Sequence, residues 1–159
     1  DSLGSEGNIT YGEVQVMSAG SGIRHSEFNG SSTEEASLLQ IWVFPQERNI
    51  KPRYDQMRYD LEKANNSFMT LVSPNKGENV MWINQDAFFS LGTFDSGKTA
   101  YYNIQHSGNG AYVFMIDGQA ELEDTLLNTR DAIGVYDTGS IEFKFIENSR
   151  VLIIEVPMQ

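Results

Sequence analysis

Residues 19–27 read AGSGIRHSE and set His25 and Glu27 two positions apart. On an extended chain, residues i and i+2 face the same side. An imidazole nitrogen and a carboxylate oxygen would then be offered to one cavity, with Arg24 and Ser26 turned away. Such donors suit Fe, Ni, Cu and Mn, and zinc accepts them as well. Gly20 and Gly22 allow the backbone to bend and a ligand to come close. Taken alone, a His-x-Glu pair is more often a surface pair than a metal site. Two donors also fall short of the three or four ligands that hold a divalent ion against water.

The elements that must position this pair are strands. Apolar residues recur with period two almost everywhere, and helical periodicity is scarce. Residues 38–44 (LLQIWVF), 68–73, 87–94, 99–104, 111–117, 119–122, 132–136, 140–146 and 150–156 (RVLIIEV) read as strands. Asp117-Gly118 reads as a two-residue hairpin turn. Asn29-Gly30, Ser96-Gly97 and Thr138-Gly139 mark further turns. The one helical candidate is 52–60 (PRYDQMRYD), with Pro52 suited to a first turn. Its apolar stripe is thin, so 45–66 reads as an extended connector or a single short turn. Many short strands with glycine-rich turns predict an all-β sandwich, jelly roll or barrel.

Composition removes several function classes. The 159 residues carry 22 acidic and 11 basic side chains, a net charge of −11. That balance argues against direct nucleic-acid binding, which rewards clustered Lys and Arg, and against an anionic membrane surface. No apolar run approaches the roughly 20 residues that span a bilayer as a helix. There is no cysteine, which removes disulfides, thiolate ligands and a thiol nucleophile and fits a reducing, cytoplasmic setting.

A wider pattern surrounds the donor pair. Gly12 is followed by five residues, then SAGSG, then Gly22-x-x-His25-x-x-x-Asn29. This resembles the second sequence motif of the cupin superfamily, with Ser18 near the proline position and two residues inserted. The run DSLGSEGNITYGEVQVMSAGSGIRHSEFN, followed by LLQIWVFP and PRYDQMRYD, resembles the pirin family and its bacterial quercetin 2,3-dioxygenase-like members. The likeness is carried by residues 1 to about 60, and the rest follows by overall pattern. It implies a cupin double-stranded β-helix (jelly roll) and a bicupin with an incomplete first barrel. Residues 1–57 would be the C-terminal part of a metal-binding first barrel plus linker, and residues 58–159 a second, metal-free barrel.

The resemblance also implies roles. His25 and Glu27 would be metal ligands, with Glu27 also the general base. The metal would be iron, with nickel, copper, manganese or zinc as alternatives. The remaining two ligands of the family form an H-x-H motif upstream of DSLG. The chain is therefore expected to be truncated at its N-terminus, and the metal could be absent from it. The implied activity is ring opening of a flavonol by O2 with loss of carbon monoxide. A second implied role is a non-enzymatic, iron-binding transcriptional cofactor acting through protein partners, and a third is an inactive fragment. Residues 1–45 are expected to pair with a missing N-terminal segment or another chain, because strand edges invite association.

The second half resembles the same motifs in decayed form. Ile104 and His106 fall where an H-x-H would stand, and Glu142 where the later histidine would. Both titratable residues read most simply as ordinary strand or turn positions. Trp42, Trp82, Phe88, Phe89, Phe94, Tyr101, Tyr102 and Phe114 could line a pocket for a planar ligand, but read more simply as core.

Overall fold

The computed structural model describes residues 7–158. Two strands come first and pair antiparallel: β1 (Glu13–Ser18) and β2 (Arg53–Arg58), in register from Glu13 opposite Arg58 to Ser18 opposite Arg53. A 3-10 turn at Leu61–Ala64 follows, with Asp60 accepting from the Glu62 amide. Ten more strands complete the chain: β3 (Phe68–Ser73), β4 (Met81–Trp82), β5 (Phe88–Phe94), β6 (Thr99–Asn103), β7 (Asn109–Asp117), β8 (Ala120–Leu122), β9 (Thr125–Leu127), β10 (Ala132–Val135), β11 (Ser140–Phe145) and β12 (Ser149–Pro157). No α-helix occurs among the described residues.

The ten strands form two sheets, in the orders β10-β7-β12-β5-β3-β4 and β6-β11-β8-β9. From β5 onward every connection except β8 to β9 passes from one sheet to the other, which winds the chain as a jelly roll. Asp117-Gly118 is therefore a turn but not a hairpin. Gly118 has φ +88°, and a Cβ there would lie 2.4 Å from the Asn148 carbonyl oxygen. The chain is pressed against the β11–β12 corner and leaves β7 for the other sheet.

Packing explains the sequence pattern. Val113, Met115, Ile141, Phe143, Val151 and Ile153 are fully buried between the sheets, with Phe94, Tyr102 and Phe145 beside them. The outer face of the larger sheet carries a second core of Tyr59, Leu71, Met81, Phe89, Leu152 and Ile154. Val14, Val16 and Met57 of the β1–β2 pair pack against it. β12 thus has both faces covered, which is why residues 151–154 are continuously apolar rather than alternating.

Two sequence expectations change. Residues 53–58 are a strand, not a first helical turn. The Arg58–Arg53 edge finds its partner in β1, more than thirty residues back, and that pairing overrides a thin local helical stripe. Residues 38–44 are not a buried strand. Leu38, Leu39, Ile41, Trp42 and Phe44 are exposed, and residues 38–44 pair with no described strand.

Candidate functional site

The donor pair lies on a long excursion that leaves β1 and returns as β2. Gly20 bends its start, at φ +55°. A Cβ on Gly20 would fall 2.0 Å from the Ile50 carbonyl oxygen and 2.9 Å from the Pro52 nitrogen. Glycine is required because the two ends of the excursion touch here. The Gly22 amide donates to the Ala19 carbonyl at 2.8 Å and closes the turn.

His25 and Glu27 follow in an irregular, exposed stretch. Neither side chain makes a hydrogen bond or ion pair with a described residue. No group of three or more His, Asp or Glu is assembled among the described residues. The structure therefore holds the pair free and near in sequence, and it brings no third donor to it. Asn29, the last residue of the motif, has a folding role. Its Oδ1 accepts from the Ser31 amide at 3.0 Å and its Nδ2 donates to the Glu34 carbonyl at 2.7 Å, closing the loop past the donors.

The far end of the excursion is tied to the barrel. Gln85 Nε2 donates to the Phe44 carbonyl at 2.8 Å, the Gln46 amide to the Asn84 carbonyl at 2.8 Å, and Asn84 Nδ2 to the Glu47 carbonyl at 3.1 Å. Arg53 at the head of β2 donates from Nη1 to the Trp82 carbonyl at 2.9 Å, and its guanidinium lies 4.9 Å from the indole centre.

His106 and Glu142 do not meet. The His106 ring stands edge-on to Phe88 at 5.2 Å, while Glu142 accepts from the Tyr101 hydroxyl at 3.0 Å on the outer surface. Tyr101, Tyr102, Phe68 and Phe94 border a cleft of about 530 Å³ between β6 and the β3–β5 side of the larger sheet. Phe88 and Phe89 are core, and Trp42 is exposed.

A residue the sequence reading passed over, Glu155, is the most heavily partnered side chain in the barrel. It is wholly buried at the end of β12. Its carboxylate accepts from Tyr102 Oη at 3.0 Å, Asn109 Nδ2 at 2.8 Å, the His106 amide at 2.9 Å and the Gln105 amide at 2.9 and 3.1 Å. Burial, with the Glu155 charge beside it, pushes the Tyr102 hydroxyl well above its ordinary range, while Ser90 beside it acts the other way. The signal was present in the sequence: one carboxylate in the apolar run 151–156 needs buried donors.

Two family models match the chain, one described as a quercetinase C-terminal cupin domain over residues 70–156 and one described as pirin over residues 1–43. The chain is similar to the quercetin 2,3-dioxygenase of Escherichia coli K12, at 31% identity over 99% of this chain and 66% of that protein. It is also similar to a Pseudomonas aeruginosa protein provisionally named a quercetin 2,3-dioxygenase, at 34% identity over 98% of this chain and 67% of that one. The crystal structure of the bacterial pirin YhhW from Escherichia coli in complex with nickel(II) superposes with a TM-score of 0.89 at 30% identity. That match covers 98% of this chain and 66% of that one. The chain thus spans about two thirds of the length of these relatives.

Proposed function

Since the chain belongs to the pirin family of cupin proteins, we propose that it supplies His25 and Glu27 as ligands to the divalent metal of a flavonol dioxygenase of the quercetin 2,3-dioxygenase type. The observation that carries this reading is the state of the two side chains. They stand two residues apart, exposed and without a described partner, on a loop shaped by Gly20 and Asn29. An unengaged imidazole nitrogen and carboxylate suit iron, nickel, copper, manganese or zinc, and iron is the one that the resemblance implies. The further ligands a divalent ion needs would come from outside the described residues or from water.

When bound, the metal would supply Lewis acidity and redox chemistry toward O2. The Glu27 carboxylate would accept the proton of the flavonol hydroxyl as the substrate docks. His25 would fix the position of the site through its ring. Cytoplasmic placement belongs to the same proposal. No described helix is long and apolar enough to cross a membrane.

One observation favours a second reading, a protein-interaction role. Phe28, Leu38, Leu39, Ile41, Trp42 and Phe44 are all exposed within one stretch, and apolar surface of this kind marks contact sites. On that reading residues 1–45 pair with a separate segment of the same protein or with another chain, and the metal serves regulation.

Elemental analysis of the purified protein, with His25→Ala and Glu27→Gln alongside, tests the ligand assignment. The expected result, where further ligands complete the site, is about one metal per chain, lost in both variants, followed by turnover of quercetin read from its near-visible absorbance. Full metal retention in His25→Ala would refute the assignment, and metal at background in the unmodified protein would mean that AGSGIRHSE is half a site. Metal without turnover would favour the regulatory reading.

A further inference from the structure

β6 keeps one main-chain edge unused. The Ile104 amide donates to the Gly139 carbonyl at 3.0 Å, and the Phe145 amide to the Lys98 carbonyl at 2.8 Å. With Tyr102 opposite Ile141 and Ala100 opposite Phe143, the even-numbered residues are the ones that bond to β11. In an antiparallel ladder the alternate residues then point their N–H and C=O groups the other way. Those residues are Thr99, Tyr101 and Asn103. Among the described residues no strand lies on that side, and none of the three amides has a partner. Only the Asn103 carbonyl is taken, by Gln105 Nε2 at 2.9 Å.

The 530 Å³ cleft follows this edge. All five residues of β6 line it. Successive side chains of a strand face opposite sides, so a cleft that touches five in a row runs along the strand's edge and not over one face. Its other wall includes Phe68 and Thr70 of β3 and Ser90 and Phe94 of β5. There β3 is paired on one side alone, since β4 meets it only at Val72 and Ser73. The other end strands of the two barrel sheets are shorter: two residues in β4, three in β9 and four in β10; β1 and β2, six residues each, also keep an outer edge, but the cleft does not touch them.

We propose that β6 receives an extended peptide segment of a partner protein as an added strand, with apolar and basic residues alternating along it. Residues turned toward the barrel would meet the half-buried Phe68 ring. None of the residues lining the cleft is charged, which disfavours charge on that face of the guest. Two carboxylates stand at the rim: Glu142, bonded to Tyr101, and Asp95, bonded to Asn66 at 2.8 Å. Lys144, on the neighbouring strand, is neutralised by Glu121 at 3.0 Å. With a net charge of −11 on the chain, the outward residues of the guest are Lys or Arg. The five residues of β6 give an edge about 17 Å long, enough for a short linear motif bound by strand addition.

The test uses a fluorescein-labelled peptide of alternating valine and lysine, titrated with the full chain by anisotropy. Two further peptides carry backbone N-methyl groups on one or the other alternate set of residues. The set facing β6 is expected to weaken binding at least about tenfold, because two main-chain hydrogen bonds are lost. The other set is expected to change it less than about twofold, since it breaks no bond to β6. The amide resonances of Thr99, Tyr101 and Asn103 should shift on binding. Tyr101→Pro should also weaken binding, because it removes an amide that β11 does not use; the N-methylated pair decides the matter if that variant does not fold. Absence of saturable binding, equal effects of the two methylated peptides, or shifts confined to residues 28–44 would overturn the proposal. So would equal affinity for a peptide of alternating valine and glutamate.

Discussion

Glu155 offers the sharpest quantitative test of how the barrel is held. Its carboxylate ties the end of β12 to the turn between β6 and β7 through the Gln105 and His106 amides, and to Tyr102 and Asn109. Glu155→Ala would strand two buried donors, Tyr102 Oη and Asn109 Nδ2, and two half-buried amides, of Gln105 and His106, at once. Each orphaned donor costs ~1–3 kcal/mol. Water entering the vacated space relieves part of this, so the lower end applies, giving ~4 kcal/mol in total. For a chain of this length ~1 kcal/mol moves Tm by ~2–4 °C, so the midpoint should fall by ~8–16 °C. Glu155→Gln keeps one oxygen for Asn109 and the two amides, and its amide nitrogen can donate to Tyr102. It loses only charge assistance, ~1–2 kcal/mol. Tyr102→Phe removes a single donor and should cost ~1 kcal/mol. Urea unfolding at constant m-value separates the three. An alanine variant within ~1 kcal/mol of the parent, or a glutamine variant as damaged as alanine, would refute the reasoning.

Two further outcomes follow from the same geometry. Burial pushes the Tyr59 hydroxyl up to about 12 and raises Tyr102 further. The folded chain therefore holds these protons more tightly than the unfolded chain does. Their stabilisation is complete below the ordinary tyrosine value of about 10 and is lost as pH rises toward the folded values. Tm should be flat at neutral pH and fall above about pH 10, with a shallower fall in Tyr59→Phe; an equally steep fall in that variant would contradict this. Gly20→Ala should open the excursion, because the added Cβ collides with the Ile50 carbonyl and left-handed backbone adds about 1–2 kcal/mol. Limited proteolysis between residues 19 and 52 should quicken while the barrel's own unfolding is unchanged. Gly30→Ala, where a Cβ meets nothing within 4 Å and the backbone is not left-handed, should be much milder, and equal cleavage of the two variants would count against the close approach at Gly20.

The barrel strands were legible because each buries at least one face, and burial writes itself into local sequence. β3, β5, β7, β11 and β12 fall within a residue or two of the runs that announce them. What failed was non-local. The segment PRYDQMRYD carries no local sign of β1, which lies more than thirty residues away and decides its conformation. LLQIWVF has the composition of a core strand, but composition cannot state whether an edge exists for it to join. Asp117-Gly118 fixed a turn correctly and its partner wrongly, since a jelly roll sends successive strands to different sheets. His25 and Glu27 were readable as a candidate pair from spacing on the premise of a strand, and the structure has an irregular stretch there instead, turned by Gly20 and closed by Asn29. Glu155 was visible as an anomaly in 151–156, but its donors come from residues 102–109, and no local pattern joins the two.

The donor pair depends on the barrel more than its sequence position suggests. Residues 19–52 are pinned where Gly20 meets Ile50 and Pro52, and again where Phe44, Gln46 and Glu47 bond to Asn84 and Gln85. The second anchor is the corner beside Trp82, which also holds Arg53 and the head of β2. Underneath, Val14, Val16 and Met57 rest on the outer core of the larger sheet. A change at Trp82 or Asn84 therefore reaches His25 and Glu27 through the strap that carries them, without altering either residue. Loss of metal in such a variant would report positioning, whereas loss in His25→Ala with the barrel's unfolding unchanged reports ligation. Only the second outcome bears on the chemistry, and it is separable because the two cores unfold with the barrel while the donors sit outside both.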